Sequence, residues 1–115
     1  MEARNKRKPA PIPEGWRLLA IGYGTGKDDY LGIVLCFNGQ EYVTWMANFD
    51  KGCEGVANGN YFNPRAIDKS FSDDERWRLT AEAAWNDFTV RAKSLVIKSE
   101  RWERYGVPLD GVAGV

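Results

Sequence analysis

Histidine is absent from the 115 residues. That removes the usual general base near neutral pH, the commonest transition-metal ligand and every Ser-His or Cys-His nucleophile pair. Cysteine is scarce, and Cys36 and Cys53 cannot between them build a zinc site of thiolates. One lies in an apolar strand pattern and the other in a Gly-rich segment, a placement that predicts two reduced thiols in a cytoplasmic protein. No apolar run approaches the roughly 20 residues that span a bilayer. The charged, Pro-rich start has no apolar segment of signal-peptide type behind it, so no membrane partner is expected. Net charge of one sign is missing too: sixteen basic and sixteen acidic residues cancel. No global field then draws the chain to nucleic acid or an anionic surface, and any such attraction must be local.

What is present is aromatic: five Trp, five Tyr and five Phe. Side chains of this size let one thin layer of sheet and helix bury enough area to be stable. The length suits a single core. Residues 1–14 carry Arg4, Lys6, Arg7 and Lys8, then Pro9, Pro11 and Pro13, which predicts a mobile, basic, polyproline-like arm. Residues 15–115 then form one α+β domain.

Strand patterns begin at Trp16 and run to Tyr23, followed by a Gly-rich stretch through Asp29. From Tyr30 to Phe37 the two-residue period puts Leu31, Ile33, Leu35 and Phe37 on one face. Gly32, Val34 and Cys36 take the other. Asn38-Gly39 predicts a two-residue type I′ hairpin turn, with Gln40 to Asn48 as the partner strand. Cys53 to Phe62 is rich in Gly and Asn. It reads as an irregular loop in which Asn60, Tyr61 and Phe62 pair at the end. The expected sheet is antiparallel, with three to four strands.

Asn63-Pro64 opens a helical turn or two, through Ile67. Ser72-Asp73-Asp74-Glu75 is a capping box with extra carboxylates at a helix N-terminus. Behind it Trp77, Ala81, Ala84, Phe88 and Leu95 make one apolar stripe, with Trp85 beside it. Asp74 with Arg78 and Asp87 with Arg91 stand as exposed i,i+4 pairs. This long C-terminal amphipathic helix packs on the sheet. Continued to Tyr105 it would reach about 50 Å at 1.5 Å per residue, too long for so small a domain, so a break near Val96 to Ser99 is expected.

Candidate chemistry is thin. Gly22-Tyr23-Gly24-Thr25-Gly26-Lys27 suggests a phosphate loop, but Ile21 stands where the first Gly belongs and Asp28 where the magnesium-binding hydroxyl belongs. Asp28-Asp29 reads as a solvated turn and Asp73-Asp74-Glu75 as a cap. No catalytic, cofactor-binding or metal-binding residue is therefore assigned, and an enzyme is not expected.

Binding is the remaining class. One helix covers only one face of such a sheet, so aromatic side chains on the second face are expected to be exposed or to meet a partner. Tyr42-Val43-Thr44-Trp45, then Gly59-Asn60-Tyr61-Phe62, then a helix carrying Ala84, Phe88 and Arg91 resembles a group of small uncharacterised bacteriophage and prophage proteins. Those pair a Tyr-Val-x-Trp strand with a Gly-His-Tyr-Phe-like segment before a helix; Asn60 stands here where they carry His. The resemblance implies an origin in a mobile element and hence a bacterial host cytoplasm, without an activity. The expected partner is a host or phage protein, met by the open sheet face, the Cys53 to Phe62 segment and the Arg101 to Tyr105 end. The side chains proposed for it are Trp45, Asn60, Tyr61, Arg101, Trp102 and Tyr105, because Trp, Tyr and Arg dominate interfaces. A homodimer through the C-terminal helix is a further expectation. The alternative is a single-stranded nucleic-acid binder using Arg4, Lys6, Arg7, Lys8, Arg17 and Lys27 beside the sheet aromatics.

Overall fold

A computed structural model describes residues 10–24, 26–96 and 102–104. Strands β1 (Arg17–Tyr23), β2 (Leu31–Phe37), β3 (Tyr42–Asn48) and β4 (Gly55–Phe62) form an antiparallel meander. Helix α1 (Asp73–Val96) packs across one face, and a short strand β5 (Trp102–Arg104) pairs antiparallel with β1. The sheet order is β4-β3-β2-β1-β5, so β4 and β5 are its two edges. This is the expected α+β fold, extended by one short strand.

The two-residue period of β2 sorts its side chains as read from the sequence. Ile33 and Leu35 join Leu19, Tyr42, Ala81, Ala84, Phe88 and Ala92 in the cluster between sheet and helix. Val34 and Cys36 join Ile21, Tyr23, Val43, Trp45, Ala47 and Phe49 on the opposite face. A bulge in β1 between Leu18 and Ala20 lets the strand keep both faces filled as it twists.

The opposite face corrects one expectation. It is not open: Val34, Cys36, Val43 and Ala47 are fully buried there, and Trp45 is 6% exposed. Ala10, Ile12 and Trp16 pack against this cluster, so from Ala10 onward the Pro-rich segment is docked on the sheet. Its geometry explains how. Ile12 N–H donates to the Ala10 carbonyl at 2.8 Å, a tight turn around Pro11, whose fixed φ suits it. Gly15, at φ +91°, then reverses the chain into β1. The basic residues Arg4, Lys6, Arg7 and Lys8 lie outside the described residues.

The β2–β3 turn also differs from expectation. Phe37 pairs with Tyr42, which leaves four residues in the connection. The Asn38 side-chain oxygen accepts from the N–H groups of Gln40 and Glu41, both at 2.9 Å. That side chain does the work of a backbone turn, so only Gly39, at φ +94°, needs the left-handed region there.

Helix α1 begins as its cap predicts. Glu75 N–H donates to Ser72 Oγ at 3.2 Å, and the Ser72 hydroxyl donates to the Glu75 carboxylate. Helix α1 spans Asp73–Val96 and the next described residues form strand β5; the expected break near Val96 to Ser99 falls almost wholly outside the described residues. Among the described residues Arg76 pairs with Asp73, and on the exposed side Arg78 pairs with Glu82 in place of Asp74.

Candidate binding edge

The residue types of β4 oppose strand formation, since Gly and Asn are poor in sheets. Three contacts outside the strand hold it. It pairs with β3 from Tyr42↔Phe62 to Asn48↔Gly55, which corrects the expected irregular loop. Opposite Trp45 the register admits two residues, Asn58 and Gly59, and Asn58 takes φ +55°. Asn is one of the few side chains that occupy this region at low cost, so the bulge falls where the residue permits it. The Trp45 indole then lies over Gly59: a Cβ added there would sit 2.6 Å from Trp45 Nε1 and 3.0 Å from Tyr61 Cε2.

The aromatic side chains gather around that glycine. Trp16 meets Trp45 edge to face at 5.0 Å, and Trp45 meets Tyr61 at 6.2 Å and 88°. Trp16 and Tyr61 are 6.3 Å apart. Trp45 is the buried floor of the group, whereas Tyr61 stays 55% exposed at the sheet edge. Edge-to-face pairs of this kind fix ring orientation.

On the helix side, Asn60 belongs to a polar clamp. Asp87 Oδ2 accepts from the Thr44 hydroxyl at 2.5 Å and from the Asn60 amide at 3.1 Å. Arg91 donates to the Thr44 carbonyl and to Thr44 Oγ1, both at 3.0 Å. Asp87 and Arg91 are thus turned toward β3 and β4; they are not the exposed pair that their spacing suggests. Thr44 itself is fully buried, so its hydroxyl depends on these partners.

The proposed binding residues therefore divide. Trp45, Asn60 and Tyr61 come together at the β4 end of the sheet. Trp102 falls in β5 on the opposite edge, and four strand spacings of about 4.8 Å put it roughly 19 Å away. Arg101 and Tyr105 lie outside the described residues. Of the basic residues, Arg17 sits at the start of β1 and acts on the Tyr42 hydroxyl from the helix side, so it faces away from the aromatic group. Lys27 lies in the turn that follows β1, beside Asp28. No basic track joins the aromatics among the described residues. Trp16, Thr44 and Asp87 were not singled out for this site; Trp16 alone carried a signal, as an aromatic next to a strand start.

The Gly-rich β1–β2 connection folds back on itself. Gly24 N–H donates to the Leu31 carbonyl at 2.9 Å, and a Cβ at Gly24 would lie 2.1 Å from the Asp28 carbonyl oxygen. It closes a hairpin. Cys36, buried in β2, and Cys53, exposed before β4, are both free thiols. Among the described residues no helix is long and apolar enough to cross a membrane, and no three His, Cys, Asp or Glu side chains gather as metal ligands. Comparisons with protein families, with curated proteins and with solved structures found no match.

Proposed function

We propose that this chain is a non-catalytic binding module, of phage or prophage origin and acting in the bacterial cytoplasm, that docks on a host or phage protein along the outer edge of β4. The observation that carries this is the edge itself. Exposed edges are normally guarded by Lys, Pro or other charge. Gly55-Val56-Ala57-Asn58-Gly59-Asn60-Tyr61-Phe62 has no charged residue and no proline across its eight positions. Among the described residues no strand pairs with its outer side, so its backbone groups there suit an incoming strand, the mode by which many domains capture extended peptides. Tyr61, exposed and oriented by Trp45, is the anchor, and the Asn60–Asp87 bond holds the strand in place.

The test is capture from bacterial host lysate on the immobilised protein, followed by mass spectrometry and affinity measurement with the captured protein. Truncating a central aromatic anchor costs more than about 1.4 kcal/mol, so Tyr61→Ala is expected to weaken binding at least tenfold. Val90→Asp, at a helix position 68% exposed and away from β4, is expected to leave binding unchanged. Unchanged affinity with Tyr61→Ala would remove the β4 edge from the interface. Loss with Val90→Asp instead would move the interface to the helix, where the homodimer was expected. Capture that is nuclease-sensitive and falls steeply with salt would favour the single-stranded nucleic-acid reading.

A further inference from the structure

A second feature stands apart from β4 and does not depend on it. An open cavity of about 320 Å³ lies between the β2–β3 connection, the turn after β4 and the first turns of α1. Gln40 lines it from the first, Asn63 and Arg65 from the second, and Asp73, Arg76 and Trp77 from the third. Two guanidinium groups against one carboxylate leave it with a formal charge of 2 − 1 = +1.

Its donors outnumber its acceptors. Asn63 Oδ1 accepts from Arg65 N–H at 2.9 Å, capping the 3-10 turn Pro64–Ala66. That fixes which end of the Asn63 amide is engaged and leaves its NH₂ group without an acceptor among the described residues. Arg65 is exposed, and among the described residues its guanidinium has neither ion pair nor hydrogen bond. The Gln40 side-chain amide likewise has no partner among the described residues, where its backbone N–H is bonded to Asn38. Arg76 donates to the Asp73 carboxylate, while its Nε is buried with no partner. Asp73 is the one carboxylate present, and its side chain is 83% exposed. It therefore holds Arg76 from the solvent side, in the way an arriving oxyanion would. Trp77 forms a rigid wall, fixed edge to face against Phe37 at 5.9 Å and Tyr42 at 6.2 Å.

We infer that this cavity is an oxyanion site, taking a carboxylate or phosphate group, with Arg65 as its principal cation. Guanidinium groups bind both oxyanions through paired N–H donors. The Gln40 and Asn63 amides supply further donors, and the ligand competes with Asp73 for Arg76. A group that only shaped the surface would show no such competition.

The experiment titrates inorganic phosphate and, separately, acetate into the whole chain at constant ionic strength, following the Trp77 indole N–H, the Gln40 and Asn63 amides and the Arg65 Nε–H by NMR. Saturable shifts at these groups are expected, with a dissociation constant of order 1 mM for the better anion. Arg65→Ala, at an exposed position, is expected to weaken binding at least fivefold, and Asp73→Asn to strengthen it about threefold by removing the rival. Tighter phosphate binding would assign a phosphate ligand; acetate that binds as well or better would assign a carboxylate. The inference is overturned if neither anion gives a saturable response, or if Arg65→Ala leaves the response unchanged.

Discussion

Replacing Asp87 by alanine should loosen the sheet at β4 more than its partly exposed position suggests. The Thr44 hydroxyl donates to Asp87 at 2.5 Å, and Thr44 is fully buried, so no water replaces the lost acceptor. Arg91 offers only donors to Thr44 and cannot take that proton. A hydrogen bond to a charged group contributes about 1.5–3 kcal/mol, and a buried donor left without a partner costs a similar amount. The Asn60 bond adds a smaller share, because Asn60 is exposed and its amide can exchange with water, though it still ties β4 to the helix. The expected loss for Asp87→Ala is about 2 kcal/mol, or roughly 6–10 °C in Tm for a domain of this size. Asp87→Asn keeps an acceptor without the charge and should lose about half as much. Urea unfolding followed by tryptophan emission and circular dichroism measures both, provided the slope stays constant. A cycle with Thr44→Val should show a coupling of about 1–2 kcal/mol, since the two residues share one bond. Hydrogen exchange should also quicken along β4, which this carboxylate ties to the helix beside the packing of Phe62. An Asp87→Ala protein within about 0.5 kcal/mol of wild type, or strict additivity with Thr44→Val, would refute the clamp.

Gly59→Ala should cost about 1–3 kcal/mol, because the new methyl group meets Trp45 Nε1 at 2.6 Å and must displace a packed ring. Tryptophan emission should shift with it; unchanged emission and stability would show that the indole does not lie over Gly59. Alkaline pH should destabilise the fold in two stages. Burial pushes the Cys36 thiol up from about 9 to about 12, and burial, partly offset by the Arg17 charge, pushes the Tyr42 hydroxyl up from about 10 to about 12. Both groups are protonated in folded and unfolded chains below pH 9, so their effect on stability is constant there. Above their unfolded values only the unfolded chain releases the protons. Stability then falls from about pH 9 through Cys36, more steeply from about pH 10 through Tyr42, and levels off near pH 12. Thermal melts of wild type and Cys36→Ala across pH 7 to 12 would check this, with the onset expected to move to about 10 in the variant. An onset that stays at pH 9 in Cys36→Ala would contradict the buried thiol's share.

The parts of the fold legible in the sequence are those encoded by near neighbours. Leu31 to Phe37 alternates cleanly because each side chain answers to its own face, and Ser72 with Glu75 caps a helix within three residues. The second face was misread because a helix on one side was taken to leave the other bare. The Pro-rich segment looked like a solvated tail, yet Pro11 turns Ala10 and Ile12 back onto the sheet. The site divides in the same way. Trp45, Asn60 and Tyr61 carry the marks of an interface in their residue types. Asp87 does not, since its bond to Thr44 spans 43 residues and its spacing from Arg91 suggests an ordinary surface pair.

Strand β4 was hidden for a reason that bears on its use. Its glycines and asparagines give it little intrinsic preference for a sheet, so its order is imposed from outside by β3, by the indole over Gly59 and by the Asp87 carboxylate. An edge stabilised through its own side chains would carry the β-branched residues that pack against neighbours and the charges that discourage pairing. Held by contacts on its inner side alone, β4 can leave its outer backbone unguarded without fraying. The same economy of side chains that obscures the strand in the sequence leaves its outer edge unguarded among the described residues, as the proposed docking requires. Tyr61 is the large aromatic that stands exposed on it, and the proposed anchor.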